Sequence, residues 1–170
     1  FGGGDTMLFT RTAGGVVETT GLNPIGNEGQ WDFARFNDQI YAVNQNNDTH
    51  TIADLDSDTT WVPADASTPR GRCVERVGDY LAIGGADGIH NRLQWSAFNN
   101  PQGDWAVSRL TRAGYADLPR DFGPIMNIVG GRYGIVFQER GIQSLQAVGP
   151  PTTFSLRPFE SNRGCIAQGS

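Results

Sequence analysis

Three residue pairs, Asn37-Asp38, Gly78-Asp79 and Gly130-Gly131, each separate two short apolar runs, and they constrain this chain more than any other feature. The flanking runs are 31–36 with 39–43, 72–77 with 80–83, and 125–129 with 132–137. Asn, Asp and Gly reach the positive φ that tight hairpin turns demand, so each frame predicts a β-hairpin. Asp38 and Asp79 are 41 positions apart, and Asp79 and Gly131 are 52 apart. A period of roughly 40–50 residues with four strands per period is the pattern of propeller blades. The predicted class is all-β: a β-propeller-like array of four-stranded antiparallel blades. Such arrays present surfaces and channels, and chemistry has to be grafted onto them.

The boundaries follow from the same frames. Residues 1–22 predict a half blade, 30–66, 70–107 and 124–160 a blade each, and 161–170 the opening of a further one. In the 70–107 unit the outer strand is expected at 105–107. In the 30–66 unit the polar run 44–48 is expected to be exposed. A start and a stop partway through a repeat predict a segment of a larger propeller.

Composition supports a chain made of turns and strands. Glycine supplies 23 of 170 residues and apolar types only 38%. Each Gly inside a helix costs about 1 kcal/mol, and no stretch repeats apolar residues at helical spacing over three turns. No apolar run approaches the roughly 18 residues that a membrane-crossing helix needs. Residues 1–5 show no signal sequence. All 13 basic residues are arginine, which reads as GC-rich coding rather than as chemistry. Residues 1–68 carry a balance of −8 and residues 69–170 a balance of +3. A net charge of −5 is a poor match for a tight grip on nucleic acid, which needs several cations on one face. It suits a conduit past which DNA moves without sticking.

Candidate chemistry is sparse. Asp54, Asp56 and Asp58, with Asp65 at the twelfth position, alternate as calcium-loop carboxylates do, but Thr59 stands where an EF-hand loop needs Gly. A solvated acidic turn is the simpler reading, and no cofactor is expected. Cys73 and Cys165 lie 92 positions apart without metal-ligand spacing; a disulfide between them stays open. His50 and His90 fall beside polar turns with no nucleophile nearby, and Gly-x-Ser-x-Gly is absent. Acids are abundant, but nothing picks out the facing pair that a glycosidase uses. Trp61, Trp105 and Tyr115 could stack on sugars in a glycan-binding propeller, although core packing is the commoner fate of Trp. The loop 108–123 is long and carries Arg109, Arg112 and Arg120 beside Tyr115, Asp117 and Asp121. It reads either as a contact element or as a crossover between blades.

From about residue 92 onward, an ordered set of short elements is recognisable. It comprises Trp95-Ser96, Asn99-Asn100-Pro101 and Trp105, then Asp117-Leu118-Pro119 and Gly123-Pro124-Ile125. Gly130-Gly131, Phe137-Gln138-Glu139-Arg140, Ile142, Gly149-Pro150-Pro151, Phe154 and Arg163-Gly164 continue it. The set resembles the β-propeller tail accessory, or nozzle-type, proteins of short-tailed bacteriophages, including the packaged DNA stabilization group. The resemblance is good over about 90–170 and faint before that. It implies a non-enzymatic structural virion protein in the phage tail, assembled in the host cytoplasm as a homo-oligomer, usually a hexameric ring. The implied partners are the portal, its adaptor and other tail proteins, with double-stranded DNA passing through without sequence-specific binding. The matched residues are structural in kind: Trp95 and Phe137 would fill blade cores, and Gly130, Gly149 and Pro150 would set turns. The alternative is the glycan-binding module.

Overall fold

The computed structural model describes residues 2–3, 8–12, 15–18, 30–52, 60–103 and 105–167. It is all-β, with two single 3₁₀ turns at Ala86–Gly88 and Arg120–Phe122. Sheet A holds β1 (Gly2–Gly3), β2 (Leu8–Thr12) and β3 (Gly15–Glu18). Sheet B holds β4 (Asp32–Phe36), β5 (Gln39–Asn44), β6 (Asn47–Ile52) and β7 (Val62–Pro63). Sheet C holds β8 (Cys73–Val77), β9 (Tyr80–Gly84), β10 (Arg92–Trp95) and β11 (Gly114–Asp117). Sheet D holds β12 (Ile125–Val129), β13 (Gly134–Gln138), β14 (Ile142–Ala147) and β15 (Phe154–Glu160). Sheets B, C and D are four-stranded antiparallel meanders in chain order, a blade-like arrangement.

Two of the three turn pairs behave as tight hairpins. Phe36 pairs with Gln39 and Val77 with Tyr80, leaving Asn37-Asp38 and Gly78-Asp79 as two-residue loops. Asn37 has φ 54° and Gly78 φ 60°, the positive value that the first central residue of such a turn takes. The third pair differs from expectation. β12 ends at Val129 and β13 begins at Gly134, so Gly130-Gly131 opens a four-residue connection. Its backbone is used elsewhere: Gly78 donates its N–H to Gly131 O at 2.7 Å, and Gly131 donates to Arg76 O at 3.1 Å. Val77 and Gly131 form a parallel bridge that joins the ends of β8 and β12. A Cβ on Gly130 would collide with the Arg76 carbonyl, so only glycine permits this approach.

Burial follows strand alternation. Ala34, Phe36, Tyr41 and Val43 of sheet B pack with Val74, Leu81 and Ile83 of sheet C. The opposite face of sheet B sets Trp31, Ile40, Ala42, Ile52 and Trp61 against Leu8 of sheet A, with Phe33 at the margin. Cys73, Val77, Tyr80, Leu93 and Trp95 of sheet C meet Ile125, Ile128, Val136, Leu145 and Phe154 of sheet D. Every sheet thus covers a neighbour's flank, and the first strands β4, β8 and β12 lie side by side.

The connections between sheets also repeat. After β7 the chain passes over the β5–β6 turn: Thr49 Oγ1 donates to Pro69 O at 2.7 Å, and Arg70 pairs with Asp48 at 2.8 Å. After β11 it passes the turn before β10, where Leu118 N donates to Asn91 O and Ile125 N to His90 O, both at 2.8 Å. After β15 it passes the β13–β14 turn, where Cys165 N donates to Gln138 O at 2.9 Å.

Three expectations are corrected. The outer strand of sheet C is β11, not 105–107, so this sheet runs beyond residue 107. Trp105 turns inward instead, joins the core between sheets B and C, and donates Nε1–H to Pro101 O at 3.0 Å. Gly114 and Ala116 take the strand position because their small side fits opposite Trp95 and Leu93. The run 44–48 is only partly exposed: Asn44 and Asn47 are buried, and the connection after β7 is held beside this turn at Asp48 and Thr49. Phe137 is half-buried rather than core, since it lies on the face of sheet D turned away from sheet C.

Candidate functional site

The residues of the ordered set that begins at Trp95 occupy joints of the fold. Trp95 is buried, donates Nε1–H to Arg112 O at 2.9 Å, and meets the Phe154 ring edge-on at 5.1 Å. Ser96 Oγ accepts Leu81 N–H at 3.0 Å and donates to Ala97 O at 3.0 Å. Asn99 sits at φ 51° and donates its N–H to Asp79 O at 2.8 Å, closing the β8–β9 turn against the segment after β10. Pro101 supplies the carbonyl that holds Trp105. Gln138 is fully buried. Its Nε2 donates to Pro119 O at 3.1 Å and Gly123 O at 2.7 Å, while its Oε1 accepts Gln143 Nε2 at 2.8 Å. Gly164 lies against the Gln138–Glu139 backbone, where a Cβ would not fit. Gly149 has φ 81° and precedes the cis Pro150-Pro151 bond; Arg163 is exposed.

A cleft of about 670 Å³ lies between sheets C and D. Its floor is Trp95, Gly114 and Phe154, one wall is β11 with Ser108–Ala113, and the other is the Pro150–Thr153 turn. A hollow of about 330 Å³ continues from it, sharing Arg112 and lined further by Tyr80, Phe98, Arg132 and Tyr133. Aromatic rings meet edge to face here: Tyr80 meets Phe154 at 5.0 Å and Phe98 at 5.6 Å. Arg112, with φ 64°, projects its guanidinium over Phe98 at 5.0 Å. Its carbonyl is held twice, by Trp95 and by Thr153 Oγ1 at 3.1 Å, so the backbone at Arg112 is fixed to the floor and to the opposite wall.

The loop 108–123 is thus partly a cleft wall and partly a strand. Arg109, Arg112 and Tyr115 reach the cleft. Asp117 does not face it freely: Arg92 binds both its oxygens at 2.7 and 3.0 Å, and this pairing holds the carboxyl below its ordinary range. The Arg92 guanidinium also covers the Tyr115 ring at 4.0 Å. Arg120 and Asp121 belong to the 3₁₀ turn in the connection to β12. The Pro150–Thr153 wall was not legible as part of a site, because no short-range signal ties it to β11.

The other candidates separate. Asp54, Asp56 and Asp58 lie outside the described residues. Asp65 accepts the Ser67 N–H and hydroxyl at 2.8 and 2.6 Å, which holds its carboxyl low. Among the described residues no three His, Cys, Asp or Glu side chains converge as metal ligands would. Trp61 and Trp105 are each 1% exposed, so neither offers a face to a sugar; Tyr115 is half-exposed but capped by Arg92. His50 is buried, its Nδ1 2.7 Å from Asp48 O and its ring edge-on to Trp31. Burial pushes its pKa down, more than Asp48 raises it. No disulfide joins Cys73 and Cys165. No described helix is long and apolar enough to cross a membrane.

The carboxylates of note sit where the first strands meet. Val74 N–H donates to Asp32 Oδ2 at 2.9 Å, and Glu75 Oε1 accepts Arg76 N–H at 2.8 Å. Glu75 also takes a backbone hydrogen bond from Gly130. Burial raises both pKa values despite these bonds. No protein-family model matches the sequence, and no curated protein matches it either.

Proposed function

We propose that this chain is part of a β-propeller in the tail of a short-tailed bacteriophage, where it helps to wall the passage through which DNA leaves the particle. In this reading it is a structural component, not an enzyme. It assembles with copies of itself into a ring, a hexamer by resemblance, against the portal and its adaptor, and retains packaged DNA until ejection. The observation that carries the reading is the fate of the phage-like residues. Trp95, Ser96, Gln138, Gly130 and Gly164 hold strands, turns and connections to one another and leave no reactive group displayed. Sheets joined by the same crossover route, with their first strands side by side, also support an array that wraps around an axis.

Particle imaging and native mass measurement of the purified protein with its portal test this. The expected result is a ring seated beneath the portal. A protein that stays monomeric and never associates with a portal would overturn it. A glycan array decides the alternative: a conduit component leaves it silent, whereas saturable binding to one sugar class would move the assignment to a lectin-like module.

A further inference from the structure

One wall of the cleft between sheets C and D is a free strand edge. Among the described residues β11 is last in its sheet and has a hydrogen-bonded neighbour, β10, on one side only. Exposed edges recruit foreign strands, and short length, proline and charge are the usual guards against this. The last strands of sheets B and D carry such guards. β7 is two residues long and includes Pro63, and β15 contains Pro158 beside Arg157. β11, with the sequence Gly-Tyr-Ala-Asp, contains no proline, and its one charge, Asp117, is engaged by Arg92.

The space beside this edge suits a strand. Gly114 and Ala116 pair with Trp95 and Leu93, so on the face shared with those residues β11 carries only small groups, while Tyr115 of the same strand also borders the cleft. Pro150–Thr153 faces them across it. Arg109 and Arg112 stand at the rim, and among the described residues neither is ion-paired with a carboxylate, unlike Arg35, Arg70, Arg76 and Arg92. Main-chain pairing would supply affinity, and alternate side chains would supply selectivity. We propose that β11 accepts an extended acidic peptide segment of another protein as a fifth strand of sheet C, with its carboxylates meeting Arg109 and Arg112. This goes beyond the tail assignment and does not depend on it.

The probe is a fluorescent eight-residue peptide alternating Val or Thr with Asp, titrated against the full chain. Two further versions carry N-methyl groups on one or the other alternating set of amides, and a fourth replaces Asp by Lys. The expected result is saturable binding of the acidic peptide, at least about tenfold weaker binding of the Lys version, and loss in only one of the two N-methyl versions. Arg109→Glu should invert the preference between the Asp and Lys peptides. If that variant does not fold, a benzophenone-bearing acidic peptide should cross-link wild-type protein within residues 107–116 or 150–154. Equal binding of the acidic and Lys peptides, indifference to both N-methyl patterns, labelling elsewhere, or no binding up to about 1 mM would each overturn the proposal.

Discussion

Val74 donates its backbone N–H to Oδ2 of Asp32 at 2.9 Å, so a carboxylate on β4 satisfies a main-chain group of β8 in the next sheet. Glu75 does the same one sheet further on, reaching Gly130 after β12. Side chains thus stitch neighbouring first strands where no continuous ladder runs between them. Burial raises both pKa values, so the native state binds these protons more tightly than the unfolded chain does. Their contribution to stability is therefore greatest below the ordinary carboxylate range and is lost as pH rises through the raised native values.

Asp32→Asn keeps an oxygen for Val74 and removes the ionisable group, so urea unfolding should show a flatter stability profile between acid and neutral pH. Asp32→Ala leaves the Val74 N–H without its acceptor and should be less stable than the Asn variant by about 1–3 kcal/mol. Equal stability of the two variants at pH 7 would show that water replaces the carboxylate without loss.

The Gly130 contact predicts a local signature. A Cβ there meets the Arg76 carbonyl and the Glu75 side chain, so Gly130→Ala should cost about 1–3 kcal/mol. Amide exchange locates the damage: the Gly78 and Gly131 N–H groups, which bridge β8 and β12, should lose protection. Gly88→Ala, at φ 78° with open space around it, should leave those two amides protected.

How much of this was legible depended on range. The frames around Asn37-Asp38 and Gly78-Asp79 are local, because turn chemistry and alternation act within ten residues, and both hairpins stand where their residues put them. Gly130-Gly131 carries the same local signal but answers to Arg76, 54 positions away, so its turn opened. Trp105 has β propensity and apolar neighbours, yet its ring packs in the core between sheets B and C, and Gly114–Asp117 takes the edge. The candidate cleft was half legible. Arg109, Arg112 and Tyr115 announce a contact loop by composition, whereas Pro150–Thr153 joins them only through the packing of sheet D on sheet C.

His50 predicts the opposite pH trend to Asp32. Burial against Trp31 lowers its pKa, so the unfolded chain takes up a proton first as pH falls. Stability from this residue is present above about 6.5, the ordinary histidine value, and is lost as pH drops toward the lowered native value. His50→Phe should remove the loss between pH 7 and 5 measured by urea titration. Parallel profiles for wild type and His50→Phe across that interval would contradict a buried neutral imidazole.

The two thiols should separate kinetically. Cys73 lies in the core between sheets C and D, where burial pushes its pKa far up, and the thiolate is the reactive form. Cys165 is half-buried near the surface, its thiol donating to Ala167 O at 2.9 Å. A thiol reagent at pH 8 should label one cysteine per native chain promptly and the second only on unfolding. Prompt labelling of both would mean that sheets C and D open readily against each other.

Gln138 offers the sharpest electrostatic test. Its amide donates to two carbonyls, Pro119 O and Gly123 O, in the connection that brings the chain from sheet C to sheet D, and it is fully buried. Gln138→Glu keeps the shape and exchanges the donor for an oxygen that faces both carbonyls. The carboxyl is tolerable there only when protonated, so its native pKa must rise. The variant should come closest to wild type below about pH 4 and lose stability progressively above it, by about 3–5 kcal/mol at neutral pH. Gln138→Met has no charge to titrate but leaves the two carbonyls unmet, so its deficit should be smaller at pH 7 and independent of pH. Matching losses in the two variants at every pH would mean that the connection moves aside and hydrates, rather than being held by this side chain.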